Sequence, residues 1–125
     1  MRTKKLTYRQ KATVLTTIGT MLHRFANRYG NEFYQDGVCV ETSRAFSKAL
    51  RQNKIPHKRV VGGQAEKIGW HCWVELPEIG IIDFCAGQAD EKDDNWVDVV
   101  IGMKSEAQIY DETAHRAKVT EYYNG

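Results

Sequence analysis

Long apolar runs, cysteine pairs and proline are scarce in this sequence, and the scarcity excludes several classes of protein. No segment has the length of apolar residues that a membrane-spanning helix needs. Residues 1–5 are basic but are not followed by the hydrophobic core of a signal peptide, so we expect a cytoplasmic protein without a membrane partner. The three cysteines are odd in number and do not suggest a disulfide framework. Because Cys39, Cys72 and Cys85 form no close pair, we expect no zinc site, and we expect no cofactor.

The composition is that of one ordinary globular domain covering residues 1–125. Hydrophobic residues make up 42% of the chain and charged residues 27%, and the length suffices to bury a core. The net charge of +2 argues against nucleic acid as the main partner. Basic residues do cluster before residue 12, and Arg44, Lys48 and Arg51 share one predicted helix face. A nucleic-acid-binding protein is therefore kept as the weakest alternative.

The first helix is predicted over Tyr8 to Tyr29. Thr7 and Gln10 have the spacing of a capping box, and Gly30 supplies a C-terminal stop. Its apolar stripe is predicted to contain Leu15, Ile18, Leu22, Phe25 and Tyr29.

A second helix is predicted to carry a cysteine in its first turn. Residues 38–53 contain neither glycine nor proline, Ile55-Pro56 ends the pattern, and Asp36 is a candidate N-cap. At about 100° per residue, one face collects Cys39, Ser43, Phe46 and Leu50. The thiol is thus expected to point inward near the positive end of the helix dipole, which favours the thiolate.

The remainder of the chain has the pattern of strands. They are predicted at 58–63, 70–76, 81–85, 96–101 and 117–123, with a turn at Pro77–Gly80 and a short helix near 105–108. Helices followed by consecutive strands indicate an α+β fold with an antiparallel sheet. His57 and His115 are interpreted as surface residues, and Cys72 and Cys85 as small packing residues.

Three residues could together form a cysteine acyl-transfer site, which needs a thiolate, a base and a group that orients the base. Cys39 could be the thiolate and His71 the base. Asp83 follows two isoleucines, where a lone carboxylate is costly unless it has a partner. Side chains alternate across a sheet, so His71 and Asp83 share a face only if the intervening loop has an odd length or a bulge.

An ordered set of short motifs resembles the core of the transglutaminase-like cysteine superfamily. That core has a cysteine heading a helix, a Gly-Ile-Pro-x-Arg turn into a strand, a His-Ala-Trp-Val-Glu strand, and an aspartate on the next strand. The matching segments here are Gly37–Cys39, Ile55-Pro56, Arg59–Gly62, His71–Glu75 and Ile81–Asp83.

The resemblance implies a papain-like α+β fold with the cysteine-bearing helix packed on the antiparallel sheet. It also implies Cys39 as nucleophile, His71 as general base and acid, and Asp83 as the orienting carboxylate. The chain departs from the pattern in having Cys72 for the commoner alanine, and it has no EF-hand calcium loop. The candidates for oxyanion stabilisation or substrate binding are Tyr34, Gln35, Trp70, Trp73 and the Cys39 backbone N–H.

The sequence therefore predicts a thiol-dependent enzyme, a peptidase, amidase or acyl transferase, acting on a peptide or protein amide. The alternative is a binding module that keeps the fold without the chemistry. If His71 and Asp83 lay on opposite faces of the sheet, the binding module would be favoured.

Overall fold

Two helices pack on a five-stranded antiparallel sheet in the computed structural model, which describes residues 5–35, 38–65, 69–86, 99–102 and 118–124. The elements are α1 (Tyr8–Tyr29), a 3-10 turn (Phe33–Gln35), α2 (Cys39–Gln52), β1 (His57–Ala65), β2 (Gly69–Leu76), β3 (Gly80–Asp83), β4 (Val100–Gly102) and β5 (Lys118–Tyr123). The strands lie in the order β4-β3-β2-β1-β5. This arrangement confirms the α+β class and the antiparallel sheet. No helix in the described ranges is both long enough and apolar enough to cross a membrane.

The N-terminus of α1 is held by the predicted capping box. The Gln10 backbone N–H donates to the Thr7 hydroxyl at 3.1 Å, and the Thr7 backbone N–H donates to the Gln10 side-chain oxygen at 2.8 Å. At the other end Gly30 has a φ of +93°, which favours glycine, and its N–H donates to the Ala26 carbonyl. The predicted bounds of this helix are confirmed.

The buried stripe of α1 differs from the predicted one. The buried residues are Val14, Ile18, Met21 and Phe25. Leu15, predicted to be buried, is 64% exposed, because the helix turns the neighbouring Val14 toward the core. Hydrophobicity alone does not choose between adjacent apolar residues.

Helix α2 presents the predicted face to the interior. Cys39, Ser43, Phe46 and Leu50 are buried, together with Thr42 and Ser47. The prediction of Asp36 as N-cap is wrong: the N-cap is Val38, two residues further along. Valine has no polar side-chain atom, so this residue gives the first-turn N–H groups no side-chain acceptor.

The main core lies between the helices and the sheet. Phe84 meets the rings of Phe25 and Phe46 edge-on, with centroids 5.2 and 5.1 Å apart. From the sheet, Val74 and Ile82 enter the same cluster. These contacts fix α2 over β2 and β3, which carry the candidate site residues.

The hairpin between β2 and β3 sets the register on which the candidate site depends. Val74 pairs with Ile82 and Leu76 with Gly80, so the loop contains three residues, 77–79. Continuing this register by one residue sets Asp83 opposite Trp73, and therefore on the same face as His71. The odd loop length that the candidate site requires is confirmed.

Other predicted elements agree in part. The third strand ends at Asp83 rather than at residue 85, because the chain turns there. Only the end of the predicted strand 96–101 is described, as β4, and β5 matches the last predicted strand closely. The predicted helix near 105–108 and His115 lie outside the described residues.

The capping box allows a stability test. Thr7→Ala removes the side-chain acceptor for the Gln10 N–H, and we expect the free energy of unfolding to fall by about 1 kcal/mol. Urea denaturation followed by circular dichroism measures this change. Thr16→Ala is the matched control, since this exposed hydroxyl only contacts the carbonyl of Ala12 within the helix. A control variant that loses as much stability as Thr7→Ala would contradict the capping interpretation.

Candidate active site

A buried histidine–aspartate pair lies at the centre of the candidate site. His71 on β2 and Asp83 at the end of β3 are both 0% exposed, and Nε2 of His71 lies 2.5 Å from Oδ2 of Asp83. The other carboxylate oxygen, Oδ1, accepts the backbone N–H of Cys85 at 2.9 Å. Both oxygens are thus engaged, which fixes the carboxylate and the imidazole plane that it holds.

The second ring nitrogen of His71, Nδ1, is left for the thiol. It is buried, and within the described residues no oxygen or other nitrogen is hydrogen-bonded to it. Cys39 is close enough to His71 for each to change the pKa of the other through hydrogen bonding and charge. The structure thus brings Cys39, His71 and Asp83 together.

Charge favours the protonated imidazole in this arrangement. Burial lowers the pKa of His71, but the charge of Asp83 and its hydrogen bond outweigh burial, and Cys39 adds to their effect. The pKa of His71 is raised from 6.5 to about 9. The imidazole is therefore an imidazolium at neutral pH.

The Cys39 sulfur is correspondingly a thiolate. The largest effect is a hydrogen bond from the Cys72 thiol, which lowers the pKa of Cys39, whereas burial raises it. His71 lowers it further by hydrogen bonding and by charge, and the pKa falls from 9.0 to about 5. Between these two pKa values, the site holds a thiolate–imidazolium pair.

Cys72 has a role that the sequence analysis missed. The sequence predicts only a packing role for Cys72. In the structure its thiol stays protonated and donates a hydrogen bond to Cys39, which raises the pKa of Cys72. The available signal was its place in the chain, directly after the candidate base. A small residue beside a predicted nucleophile can contribute a hydrogen bond as well as volume.

Cys85 completes a cluster of three free thiols with Cys39 and Cys72. Its sulfur lies 3.4 Å from the hydroxyl of Thr42, and burial raises the pKa of Cys85 to about 12. Its thiol is therefore protonated at neutral pH, and its backbone N–H is the group that contacts Asp83.

Of the four side chains predicted to bind substrate or stabilise an oxyanion, the structure describes those of Trp73 and Tyr34. Trp73 is fully buried, with its ring centroid 6.1 Å from that of His71, and its N–H donates to Glu75. It therefore packs beside the base rather than lining an open groove. Tyr34 is half-buried on the 3-10 turn and packs against Phe33. The side chains of Gln35 and Trp70 lie outside the described part of the structure.

His57 was predicted at the surface, and that prediction is wrong. It is 1% exposed, with Nε2 2.7 Å from the Ser47 hydroxyl and Nδ1 2.8 Å from the Ile55 carbonyl oxygen. The buried residues Ile55 and Pro56 lead directly into β1, and they bring His57 inside with them. This histidine connects α2 to β1 and lies outside the thiol cluster.

The thiol site is closely covered. Cys39 exposes only 5% of its surface, and Val38 and Val61 pack around the three sulfurs. A cleft of about 190 Å³ lies elsewhere, next to the Lys58–Glu75 ion pair. Its lining residues are His57, Lys58, Glu75, Leu76, Pro77 and Tyr122. None of these residues belongs to the thiol site, so this cleft is separate from it.

Comparisons with protein-family models, with curated proteins and with solved structures find no match to this chain. Within the described residues, no group of three or more His, Cys, Asp or Glu side chains could hold a metal ion.

Because His71 and Asp83 are paired, neutralising the Asp83 carboxylate should lower the free energy of unfolding by an amount that depends on pH. Asp83→Asn keeps an oxygen for the Cys85 N–H but leaves the imidazolium without its counter-charge, so we expect a loss of about 3–5 kcal/mol. A raised histidine pKa contributes stability that is complete below pH 6.5 and is lost as the pH rises through about 9. The difference between wild type and variant, measured by urea denaturation, should shrink over that range.

The exposed ion pair of Lys11 and Glu78 provides the control for this measurement. Its atoms lie 3.2 Å apart at the surface, and Glu78→Gln should change the stability far less than Asp83→Asn does, because solvent screens an exposed pair. If the Asp83→Asn loss were the same at every pH, the carboxylate would not be pairing with a charged imidazole.

The lowered pKa of Cys39 predicts selective alkylation. Iodoacetamide reacts with the thiolate, so the rate at Cys39 should rise with a midpoint near pH 5 and then level off. His71→Asn removes the imidazolium, and the midpoint should move toward the ordinary value of 9.0. Peptide mapping by mass spectrometry assigns each label, and protein unfolded in urea serves as the control, with all three thiols reacting alike. Slow and equal labelling of the folded protein would contradict a thiolate at Cys39.

Proposed function

We propose that this protein is a thiol-dependent acyl-transfer enzyme, a peptidase or amidase, in which Cys39, His71 and Asp83 form a catalytic triad. The observation that supports it best is the placement of His71. One ring nitrogen is held 2.5 Å from a buried carboxylate, and the other is left for a thiol of low pKa. These are the nucleophile, base and orienting group that acyl transfer requires.

The first half of the proposed reaction forms an acyl-enzyme. The Cys39 thiolate attacks the carbonyl carbon of an amide, and a C–S bond forms while the carbonyl oxygen takes the negative charge. The Cys39 backbone N–H, at the uncapped start of α2, is the proposed donor to this oxyanion. His71 then gives its Nδ1 proton to the amide nitrogen, the C–N bond breaks, and the amine leaves.

The second half regenerates the thiolate. Neutral His71 takes a proton from water or from an acceptor amine, which attacks the thioester carbon. The C–S bond breaks, and the product is a carboxylic acid with water or a new amide with an amine. Asp83 holds the imidazole in one orientation throughout both halves.

The substrate class follows from the chemistry of the site. A thiolate–imidazolium pair acts on acyl carbons, and amides are the acyl compounds that need a proton donor for their leaving group. A peptide or protein amide in the cytoplasm is thus the proposed substrate, and a papain-like core is the proposed architecture. The helix carrying Cys39 over the sheet carrying His71 and Asp83 agrees with the transglutaminase-like resemblance in the sequence.

The proposal predicts a covalent intermediate on one sulfur. After exposure to a panel of peptides and activated amides, intact-mass spectrometry should show an acyl adduct on Cys39 that decays with release of acid. His71→Ala should slow acyl-enzyme formation by roughly 10²–10⁴-fold, and Cys39→Ala should abolish the adduct. Lys48→Ala, exposed on the opposite side of α2, is the control and should match the wild type.

One result would turn the assignment toward a binding module. If Cys39 were alkylated rapidly but formed no acyl adduct with any peptide or amide, the thiolate would be present without the proposed chemistry. Peptide binding measured by calorimetry on the same panel would then identify the ligand class.

A further inference from the structure

A second sulfur lies next to the proposed nucleophile and has no part in the acyl-transfer steps. Cys39, Cys72 and Cys85 form one buried cluster in which all three thiols are free. The Cys72 side chain is hydrogen-bonded to Cys39. A thiol within hydrogen-bonding distance of a thiolate is also within reach of sulfur–sulfur bond formation after a small adjustment.

We propose that Cys39 and Cys72 form a reversible disulfide after oxidation of Cys39 by a peroxide, and that this bond switches the site off. The inference rests on the proposed function only in taking Cys39 as the reactive sulfur, since the oxidation itself needs no amide substrate. Hydrogen peroxide is a small oxidant suited to a cysteine residue that is only 5% exposed.

The reaction has two balanced steps. The Cys39 thiolate attacks one oxygen of the peroxide, an S–O bond forms, the O–O bond breaks, and hydroxide leaves and takes up a proton as water. The sulfur is oxidised by two electrons to a sulfenic acid, and the peroxide is reduced. The Cys72 sulfur then attacks the Cys39 sulfur, the S–O bond breaks, and the sulfenic hydroxyl leaves with the Cys72 proton as a second water.

The same geometry determines which thiol resolves the sulfenic acid. The Cys72 thiol is hydrogen-bonded to Cys39, whereas Cys85 has its sulfur 3.4 Å from the Thr42 hydroxyl. Cys39 acts on Cys85 through its charge. We therefore expect a bond from Cys39 to Cys72 and none to Cys85.

The disulfide would inactivate the site by removing both the nucleophilic thiolate and the thiol that donates a hydrogen bond to it. Cys39 in a disulfide has no thiolate to attack an acyl carbon, and Cys72 has no proton to donate. Excess dithiothreitol attacks the disulfide and restores both thiols by exchange. Reversibility separates this bond from sulfinic and sulfonic acids, which dithiothreitol does not reduce.

Treatment of the whole chain with hydrogen peroxide tests the proposal. The wild type should lose the mass of two hydrogen atoms, and non-reducing peptide mapping should give a Cys39–Cys72 crosslink that dithiothreitol reverses. Cys72→Ala should instead stop at a sulfenic acid that dimedone traps, and should pass to the sulfinic acid with excess peroxide. Cys72→Ser repeats the test with a side chain closer in size, and circular dichroism verifies that both variants fold. Cys85→Ala is the matched control and should form the same crosslink as the wild type.

Three outcomes would overturn the inference, and none depends on acyl transfer. In a protein whose reduced Cys39 is labelled rapidly by iodoacetamide, a crosslink to Cys85, or oxidation of Cys39 without any crosslink, would refute the Cys72 assignment and leave the proposed function intact. A crosslink in a protein that forms no acyl adduct would support the redox pair and count against the enzyme. Slow alkylation together with no oxidation would overturn both.

Discussion

A carboxylate without solvent exposure is the constraint on which the rest of this structure depends. Asp83 ends a strand of isoleucines, and a buried charge of this kind is stable only with a partner of opposite sign and with its oxygens satisfied. The structure provides His71 for one oxygen and the Cys85 N–H for the other. Once His71 is held in this way, its other ring nitrogen is left for the Cys39 thiol.

The electrostatics of the site follow from this pair. An imidazole that a carboxylate keeps protonated is a fixed positive charge inside the domain, and it favours the negative form of the nearest acid. That acid is the Cys39 thiol, which the first turn of α2 delivers. The thiol of Cys72 has the largest effect on Cys39, because it donates a hydrogen bond to the same sulfur. Burial opposes charge at both groups. At Cys39 it is outweighed by the hydrogen bond from Cys72 together with His71, and at His71 by the charge and hydrogen bond of Asp83.

The local elements could be predicted from the sequence because their signals are short in range. The capping box and Gly30 determined both ends of α1, and the period of α2 showed which face holds Cys39. The buried face of α1 was missed at Leu15 because two adjacent apolar residues compete for one core position, and only the packing of the sheet decides between them. The prediction of Asp36 as N-cap failed because a residue type that can cap a helix does not by itself fix where the helix begins, and α2 begins at Cys39 with Val38 as its N-cap.

The candidate site was predictable as a set of residue types in order, but its geometry was not. From the sequence, His71 and Asp83 could lie on the same face of the sheet or on opposite faces, depending on the loop. The register of β2 and β3 places them on the same face. The donor role of Cys72 and the burial of His57 depend on contacts between residues distant in the chain, which no local pattern encodes.

The pairing of β2 with β3 determines how this protein can vary. A slip of one residue in that pairing would turn Asp83 to the opposite face of the sheet, whereas a slip of two would keep its face. A change in the length of the loop 77–79 is therefore compatible with the His71–Asp83 pair as long as Val74 stays opposite Ile82. The loop residues do not enter the chemistry, yet the turn they form has to deliver this register.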